Sequence, residues 1–256
     1  DLPQLLKGIV ERELHIFDHL MMTTDGATPA FYEDGVMDKC IRVALEQGVS
    51  PIDAYNMASY NVARYYNMTN LHGLIATGRY ANLNILADEF SPTPEAVLSK
   101  GVWLKRGEEK TALPAMDFAA FGELGVDFDL TDDDFQFSMP IGVEMVNDVI
   151  TKPYSVAVHA HKKELSTEHD ESYLMMIDRK GKWRINTMIK GFANKIKGFA
   201  SSYSNTGDII LIGKSVEDML FAFNELKRMN GGIVLVENGE VITALPLTIG
   251  GSLYKG

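Results

Sequence analysis

The chain has 256 residues, of which 46% are hydrophobic and 23% charged, proportions that are ordinary for a globular protein with a substantial core. Its formal net charge of −11, without a cluster of lysine or arginine, argues against a nucleic acid or an anionic membrane as partner. The single cysteine, Cys40, excludes an internal disulfide and fits a reducing cytoplasm, and no apolar run approaches the roughly 20 residues of a membrane-spanning helix.

The first predicted elements are a helix, a strand and a second helix. Apolar residues at helical spacing predict a helix from Leu5 to Phe17. The apolar run of residues 19–24 predicts a buried strand that ends at Asp25-Gly26, and residues 36–48 predict an amphipathic helix closed by glycine. Barrel enzymes of the (β/α)8 type keep catalytic carboxylates at the C-terminal tips of buried strands. This region therefore looks like the last strand and helix of such a barrel.

Turn and cap signals divide the following residues. Ser50 and Pro51 predict the start of a helix that runs to about Tyr66. Alternating apolar residues predict a strand over residues 81–86, and residues 97–106 predict a strand pair with a turn at Lys100-Gly101. The pattern weakens from residue 110 to residue 134, where we place a domain boundary. Within it, the acidic run of residues 132–134 predicts a solvated loop.

Hairpin signals dominate the rest of the chain. Residues 178–181 separate two predicted strands, and Asn238-Gly239 suits a type I′ turn between two more. Ser215 predicts the start of a helix with apolar residues from Met219 to Met229 on one face. The glycine pairs at residues 231–232 and 250–251 predict turns, because they lack the strand–loop–helix context of a phosphate-binding loop. Together these elements predict an α+β domain.

Two places in the sequence carry metal-ligand chemistry. Asp25 would serve as a metal ligand and general base, although its pattern alone favours a turn aspartate before Gly26. His159 and His161 would share one face of a strand and chelate a zinc-like metal. No third ligand follows them at a convincing spacing, so a solvated strand edge is favoured. Ser201-Ser202 lacks the Gly-x-Ser-x-Gly elbow of a serine nucleophile.

Several motifs, in this order and spacing, resemble the adenine deaminases of the amidohydrolase superfamily. They are Met22-Thr23-Thr24-Asp25-Gly26, Gly35-Val36-Met37-Asp38, Ser50-Pro51-Ile52-Asp53-Ala54, residues 57–63 and 73–83, Ile189-Lys190-Gly191-Phe192, Ala200-Ser201-Ser202 and residues 230–236. The resemblance implies an α/β and α+β fold in three parts. These are the end of a metal-dependent (β/α)8 barrel over residues 1–70, part of a small β-sandwich domain over residues 71–108, and a C-terminal α+β domain over residues 109–256.

The resemblance also implies a reaction, the hydrolytic deamination of adenine to hypoxanthine and ammonia in purine salvage. Asp25 matches the aspartate of the family's last barrel strand, which binds a divalent metal and shuttles protons between water and the leaving group. The implied metal is Mn²⁺ or Fe²⁺, with Zn²⁺ as an alternative. In this superfamily the paired histidine ligands lie upstream of the aspartate. We therefore expect this chain to be the C-terminal part of the enzyme and to be inactive alone.

The expected partners are a small-molecule purine and further copies of the same chain, with no nucleic acid and no membrane. The sequence departs from the family at Thr77-Gly78-Arg79, Ala81-Asn82-Leu83, Arg179-Lys180-Gly181 and residues 203–208. Polar groups that bind a substrate also discriminate against its analogues, so these departures bear on specificity. Two alternatives stay open: an amidohydrolase that acts on another nitrogen heterocycle or cyclic amide, and a non-catalytic module for binding or assembly.

Overall fold

A computed structural model describes residues 2–26, 29–112, 114–147, 150–156, 163–204 and 206–254. The helices are α1 (Leu2–Glu11), α2 (Met37–Glu46), α3 (Pro51–Ala58), α4 (Tyr60–Tyr65) and α5 (Val216–Arg228). The strands are β1 (Leu83–Ile85), β2 (Ala96–Ser99), β3 (Val102–Arg106), β4 (Glu109–Lys110), β5 (Ile141–Met145), β6 (Thr151–Ser155), β7 (Ser172–Ile177), β8 (Arg184–Lys190), β9 (Gly198–Ser201), β10 (Ile209–Gly213), β11 (Gly232–Glu237) and β12 (Glu240–Pro246). The chain divides into two compact units, Asp1–Ala115 and Met116–Gly256.

Helices α1 to α3 of the N-terminal unit bring their apolar faces together in one cluster. Leu6 of α1, Cys40 and Ala44 of α2, and Met57 of α3 are each at most 2% exposed. Burial raises the pKa of the Cys40 thiol, which keeps it protonated and unreactive. Cys40 is thus a small buried hydrophobe, as its place in the helix pattern predicted.

The predicted end of α2 and the predicted start of α3 are confirmed. Gly48 follows α2 with a φ of 87°, a left-handed conformation that glycine adopts without a Cβ penalty. The Ser50 hydroxyl accepts the Asp53 N–H at 3.2 Å and caps α3, with Pro51 at the first helical position. The predicted single helix is interrupted at Ser59, after which α4 continues to Tyr65.

The prediction of a strand before Asp25 is wrong. Residues 20–24 are extended but belong to no strand, because none of the strands in the described ranges runs beside them to complete a ladder. The side-chain amide of Asn61 instead donates to the carbonyl oxygens of Phe17 and Leu20, at 2.8 Å each. The preceding helix also ends earlier than predicted, at Glu11.

Strands β1 to β4 form an antiparallel sheet in sequence order. The predicted strand pair is β2 and β3, and its turn lies at Lys100 and Gly101, whose φ angles are 49° and 80°. Two successive positive φ angles are the geometry of a type I′ hairpin, which matches the twist of the flanking strands. The membership of this sheet in a β-sandwich stays a prediction.

The C-terminal unit is an eight-stranded sheet with one helix packed on it. The strand order is β12-β11-β9-β10-β7-β8-β5-β6, with antiparallel pairing throughout except between β5 and β8. Met219, Phe223 and Leu226 of α5 are 0% exposed and pack on the sheet. The predicted helix and hairpins are confirmed, including Asn238-Gly239 with φ angles of 53° and 74°.

Asp132 and Asp133 of the acidic run are exposed to solvent, as predicted, but residues 132–134 are not an irregular loop. The run forms a 3₁₀ turn in which the Asp134 carboxylate accepts the Thr131 N–H at 2.7 Å. The same carboxylate lies 2.6 Å from Nη1 of Arg184 on β8, and its side chain is only 18% exposed. The run therefore joins the connecting segment to the sheet. Among the helices that the structure describes, none is long and apolar enough to cross a membrane.

Two phenylalanines of α5 test the packing of this helix on the sheet. Phe223 is 0% exposed and Phe221 is 37% exposed. We expect Phe223→Ala to lower the free energy of unfolding by about 3–5 kcal/mol, because it removes buried apolar surface and leaves a cavity. Phe221→Ala, the matched control, should cost less than about 1 kcal/mol. Urea denaturation followed by circular dichroism measures both, and equal losses would contradict the packing described here.

Candidate functional site around Asp25

Asp25 lies in a turn at the end of the extended segment. Its φ of 51° is left-handed, a conformation that aspartate tolerates better than most residues. Its N–H donates to the Thr23 hydroxyl at 3.0 Å, and its carbonyl accepts the Tyr32 hydroxyl at 3.2 Å. The side chain is exposed, and its carboxylate forms no hydrogen bond or ion pair with a residue of the described ranges. The backbone of Asp25 is fixed while its carboxylate stays available to a ligand.

Buried groups of α3 and α4 hold the segment that carries Asp25. The Met22 N–H donates to the Met57 carbonyl at 3.0 Å, and the Met22 side chain is 6% exposed. Asn61, the donor to the carbonyls at residues 17 and 20, is 4% exposed. A buried amide with both of its N–H groups bonded is rigid, so Asn61 positions the turn at Asp25.

Asp38 fixes the other end of the loop that follows Asp25. Its carboxylate accepts the Val36 N–H and the Thr93 hydroxyl, each at 2.8 Å. Burial acts to raise the pKa of Asp38, but the hydrogen bonds from Val36, Thr93 and the Lys39 N–H outweigh it and hold the pKa below its usual value. Asp38 is therefore ionised at neutral pH and ties the start of α2 to the segment before β2.

The described part of the chain does not assemble a metal site of three or more ligands around Asp25. It contains no group of three or more His, Cys, Asp or Glu side chains that could hold a metal ion. His15 and His19 are exposed, and His19 Nε2 lies 3.6 Å from Asp18 Oδ1. His159 and His161 lie outside the described residues. One free carboxylate fits a single coordination position of a divalent cation, and the other ligands must come from elsewhere.

The departures from the family near β1 have structural contacts. Nε of Arg79 donates to the Thr69 carbonyl. The side-chain oxygen Oδ1 of Asn82 accepts the Lys100 N–H at 2.7 Å, and the side-chain nitrogen Nδ2 of Asn82 lies 3.2 Å from Nδ1 of His72. Both side chains therefore hold the loops that lead into the sheet.

In the C-terminal unit, Arg179, which lies in a segment that departs from the family, contacts one of the glycine pairs. Nη2 of Arg179 donates to the Gly250 carbonyl. The buried Ser202 hydroxyl accepts the Gly232 N–H at 2.8 Å and donates to the Gly251 carbonyl. A Cβ at Gly231 would lie 2.6 Å from the Gly251 Cα, so a side chain there cannot fit without displacing the backbone. Gly250 and Gly251 lie in a turn, as predicted, whereas Gly231 lies in a bend and Gly232 begins β11. The Ser202 hydroxyl is occupied by main-chain partners.

Sequence reasoning missed Lys214, which is 0% exposed. Its Nζ donates to the His169 carbonyl at 2.7 Å and to the Glu171 carbonyl at 2.6 Å, while its N–H donates to the Ile196 carbonyl at 3.0 Å. Burial lowers the pKa of this lysine, because desolvation disfavours the cation. In the sequence Lys214 directly precedes Ser215, the predicted start of α5, where a lysine normally faces solvent, so no signal marks it as buried.

Comparison with known proteins agrees with these observations. Residues 7–104 match the amidohydrolase family, and residues 148–255 match the adenine deaminase C-terminal domain. A protein of Halalkalibacterium halodurans named "Putative adenine deaminase" is 51% identical over 99% of this chain. Along nearly its whole length the chain is similar to adenine deaminases of the amidohydrolase family.

Other relatives align over the same extent. A Bacillus subtilis protein, also named "Putative adenine deaminase", is 49% identical over 98% of the chain. A Mesorhizobium japonicum protein named "Adenine deaminase" is 26% identical over 98% of it. In each of these alignments the matched part is 44% of the relative's own length. The chain thus spans less than half the length of the curated relatives it matches.

The ionised Asp38 gives a pH-dependent prediction. Its lowered pKa means that its contribution to stability is present above the usual value of 3.8 and is lost as the pH falls through the folded-state pKa. We expect Asp38→Asn to destabilise the N-terminal unit by about 1 kcal/mol at pH 7, because the amide forms weaker hydrogen bonds than the carboxylate and removes a negative charge from the first turn of α2. The difference from the unaltered chain should shrink below pH 3.8.

Urea denaturation at several pH values measures this difference. Glu46→Gln is the matched control, since Glu46 is an exposed carboxylate near the end of the same helix. It should change stability by less than about 0.5 kcal/mol at pH 7. A loss in Asp38→Asn that does not vary with pH would show that the charge of Asp38 is not what stabilises the loop.

Proposed function

We propose that this chain is the C-terminal part of a metal-dependent hydrolase that converts adenine and water to hypoxanthine and ammonia, a step of purine salvage. The observation that carries the proposal is the exposed carboxylate of Asp25, which has no bonded partner among the described residues, on a turn whose backbone is fixed. The names of the relatives, which align over nearly all of the chain, support adenine as the substrate.

In the proposed reaction Asp25 has two tasks. Its carboxylate would hold the divalent metal, which we propose to be Mn²⁺ or Fe²⁺, with Zn²⁺ as the alternative. When bound, such a metal supplies the Lewis acidity that makes water a nucleophile at neutral pH. The Asp25 carboxylate accepts the proton that the attacking water loses and delivers it to the departing amino nitrogen, so that ammonia leaves as a neutral molecule.

A cytoplasmic location and a homo-oligomeric state stay predictions.

The fixed turn explains why a single carboxylate can serve in this way. Proton transfer needs the donor and acceptor atoms within hydrogen-bond distance, and a small displacement costs much of the rate. The hydrogen bonds of Thr23 and Tyr32 to the Asp25 backbone restrict the position of the carboxylate before any ligand binds. Asn61 acts further away, through the segment that precedes the turn.

Substitution of Asp25 in the full-length protein tests the proposal. We expect Asp25→Asn to lower kcat by about 10²–10⁴-fold, because the amide cannot accept the proton and binds a metal poorly. The assay follows the loss of adenine absorbance with Mn²⁺ or Fe²⁺ present. Glu33→Gln, an exposed carboxylate in the loop after Asp25, is the matched control and should keep the parent's turnover within about two-fold.

Two results would count against the proposal in different ways. Turnover of Asp25→Asn within a few-fold of the parent would exclude Asp25 as the proton carrier. Absence of adenine turnover by the parent, with metal bound, would exclude adenine as the substrate and direct the assay to other nitrogen heterocycles and cyclic amides. The 256-residue chain alone, supplied with the same metal, should show no turnover.

A further inference from the structure

The C-terminal unit contains a pocket that the proposed reaction does not use. It has a volume of about 630 Å³, within the range of small-molecule sites. Its apolar floor includes Leu235 of β11 and Ile242 of β12. Leu235 alternates along the strand with Val234 and Val236, which belong to the core beneath α5, so the pocket opens on the other face of the sheet.

The wall of this pocket, residues 191–197, is held rigidly. The Gly191 N–H donates to the Asp170 carboxylate at 3.1 Å, and the Ser172 hydroxyl donates to the Ala193 carbonyl at 3.3 Å. The Lys214 N–H donates to the Ile196 carbonyl, and the Lys214 Nζ donates to the two carbonyls on either side of Asp170. The fully buried Lys214 thus bonds both Ile196 in the wall and the residues that flank Asp170, and the pocket is preorganised.

Aromatic and polar side chains of the pocket are free to meet a ligand. The Phe192 ring packs against Phe199 with centroids 5.6 Å apart and still is 37% exposed. Within the described ranges, the side chains of Asn194, Lys195 and Glu237 have no hydrogen bond and no ion pair. The pocket therefore offers a ring face, an amide, an ammonium group and a carboxylate.

The charges around the pocket compensate one another. The Lys197 ammonium lies 2.9 Å from the Glu164 carboxylate and is neutralised by it. The Asp170 carboxylate accepts a backbone N–H of the wall, and its charge is opposed by the nearby Lys214 ammonium. The remaining charges, Lys195 and Glu237, are opposite in sign, so the pocket favours a ligand without net charge. A ligand that bonds both must also carry hydrogen-bond acceptors and donors.

We propose that this pocket binds a neutral, planar nitrogen heterocycle with both donors and acceptors, the chemistry of a free purine base. Phe192 stacks on the ring, the Asn194 amide pairs with a ring nitrogen and its neighbouring group, and Lys195 and Glu237 bond acceptor and donor atoms at the ring edge. The choice of adenine and hypoxanthine as the bases rests on the proposed function, whereas the ligand class rests on the pocket alone.

Isothermal titration calorimetry of the 256-residue chain with adenine, and separately with hypoxanthine, tests the inference in the presence of a chelator. We expect binding of at least one base, weakened about 5- to 150-fold by Phe192→Ala, the range that corresponds to loss of one base–aromatic stacking contact. Phe90→Ala is the matched control, since Phe90 is a 64% exposed phenylalanine of the other unit, and it should leave the affinity unchanged.

A second variant separates stacking from hydrogen bonding. Glu237→Gln keeps the size of the side chain but removes its charge, and we expect a loss of affinity of several-fold for adenine. Circular dichroism spectra of the variants should match those of the parent, because Phe192 and Glu237 are both exposed. Binding of neither base, or binding that Phe192→Ala leaves unchanged, would overturn the inference.

The outcome is independent of the test of Asp25. Calorimetry without metal reports the pocket, and deamination by the full-length protein reports the reaction. Base binding by the chain together with a full-length protein that does not deaminate adenine would leave the pocket standing and remove the proposed function. Deamination that depends on Asp25, with no base binding sensitive to Phe192, would support the proposed function and overturn the inference about the pocket.

Discussion

The placement of Asp25 depends on how an extended segment without a strand partner satisfies its backbone. Buried N–H and C=O groups must be bonded, and a segment that lacks a ladder needs donors from side chains or helices. The amide of Asn61 supplies two such bonds, to the carbonyls of Phe17 and Leu20, from a position that is 4% exposed. The Met57 carbonyl of α3 accepts the Met22 N–H of the same segment. Loss of the Asn61 amide would leave the Leu20 carbonyl without this donor and the Phe17 carbonyl with only the Leu20 N–H, so the segment before Asp25 would lose part of its support.

The C-terminal unit meets the same requirement with a charged side chain. Lys214 is removed from water at a cost in desolvation, which its lowered pKa reflects, and it recovers part of that cost by bonding the His169 and Glu171 carbonyls. A methionine at this position would fill the volume but leave both carbonyls without a donor. The lysine thus connects the end of β10 to the segment before β7. The backbone N–H of Lys214 donates to the Ile196 carbonyl, so the lysine also connects the end of β10 to the wall of the pocket.

Local signals predicted what local forces decide. The cap at Ser50 and the turns at Lys100-Gly101 and Asn238-Gly239 depend on residues adjacent in sequence, and the structure has all three. The strand before Asp25 was predicted from an apolar run, but a strand requires a neighbour, and the run itself carries no information on that neighbour. The burial of Lys214 is equally nonlocal, since the carbonyls bound by its Nζ lie more than 40 residues away in sequence. Asp25 itself was found through the order of several motifs, because its own turn pattern fits a structural role as well.

At several positions the sequence departs from the family, and the contacts made there limit what these departures imply about substrate specificity. Arg79 and Arg179 donate to main-chain carbonyls, and Asn82 accepts a main-chain N–H. A side chain bonded to its own backbone holds a turn or loop, and a change of residue at such a position alters local geometry before it alters recognition. Discrimination between substrates requires polar groups that are left unpaired when the wrong ligand binds. By that criterion the carboxylate of Asp25, which has no bonded partner among the described residues, is a better candidate for the proposed reaction than these substituted positions, whose bonding capacity is already directed to the fold.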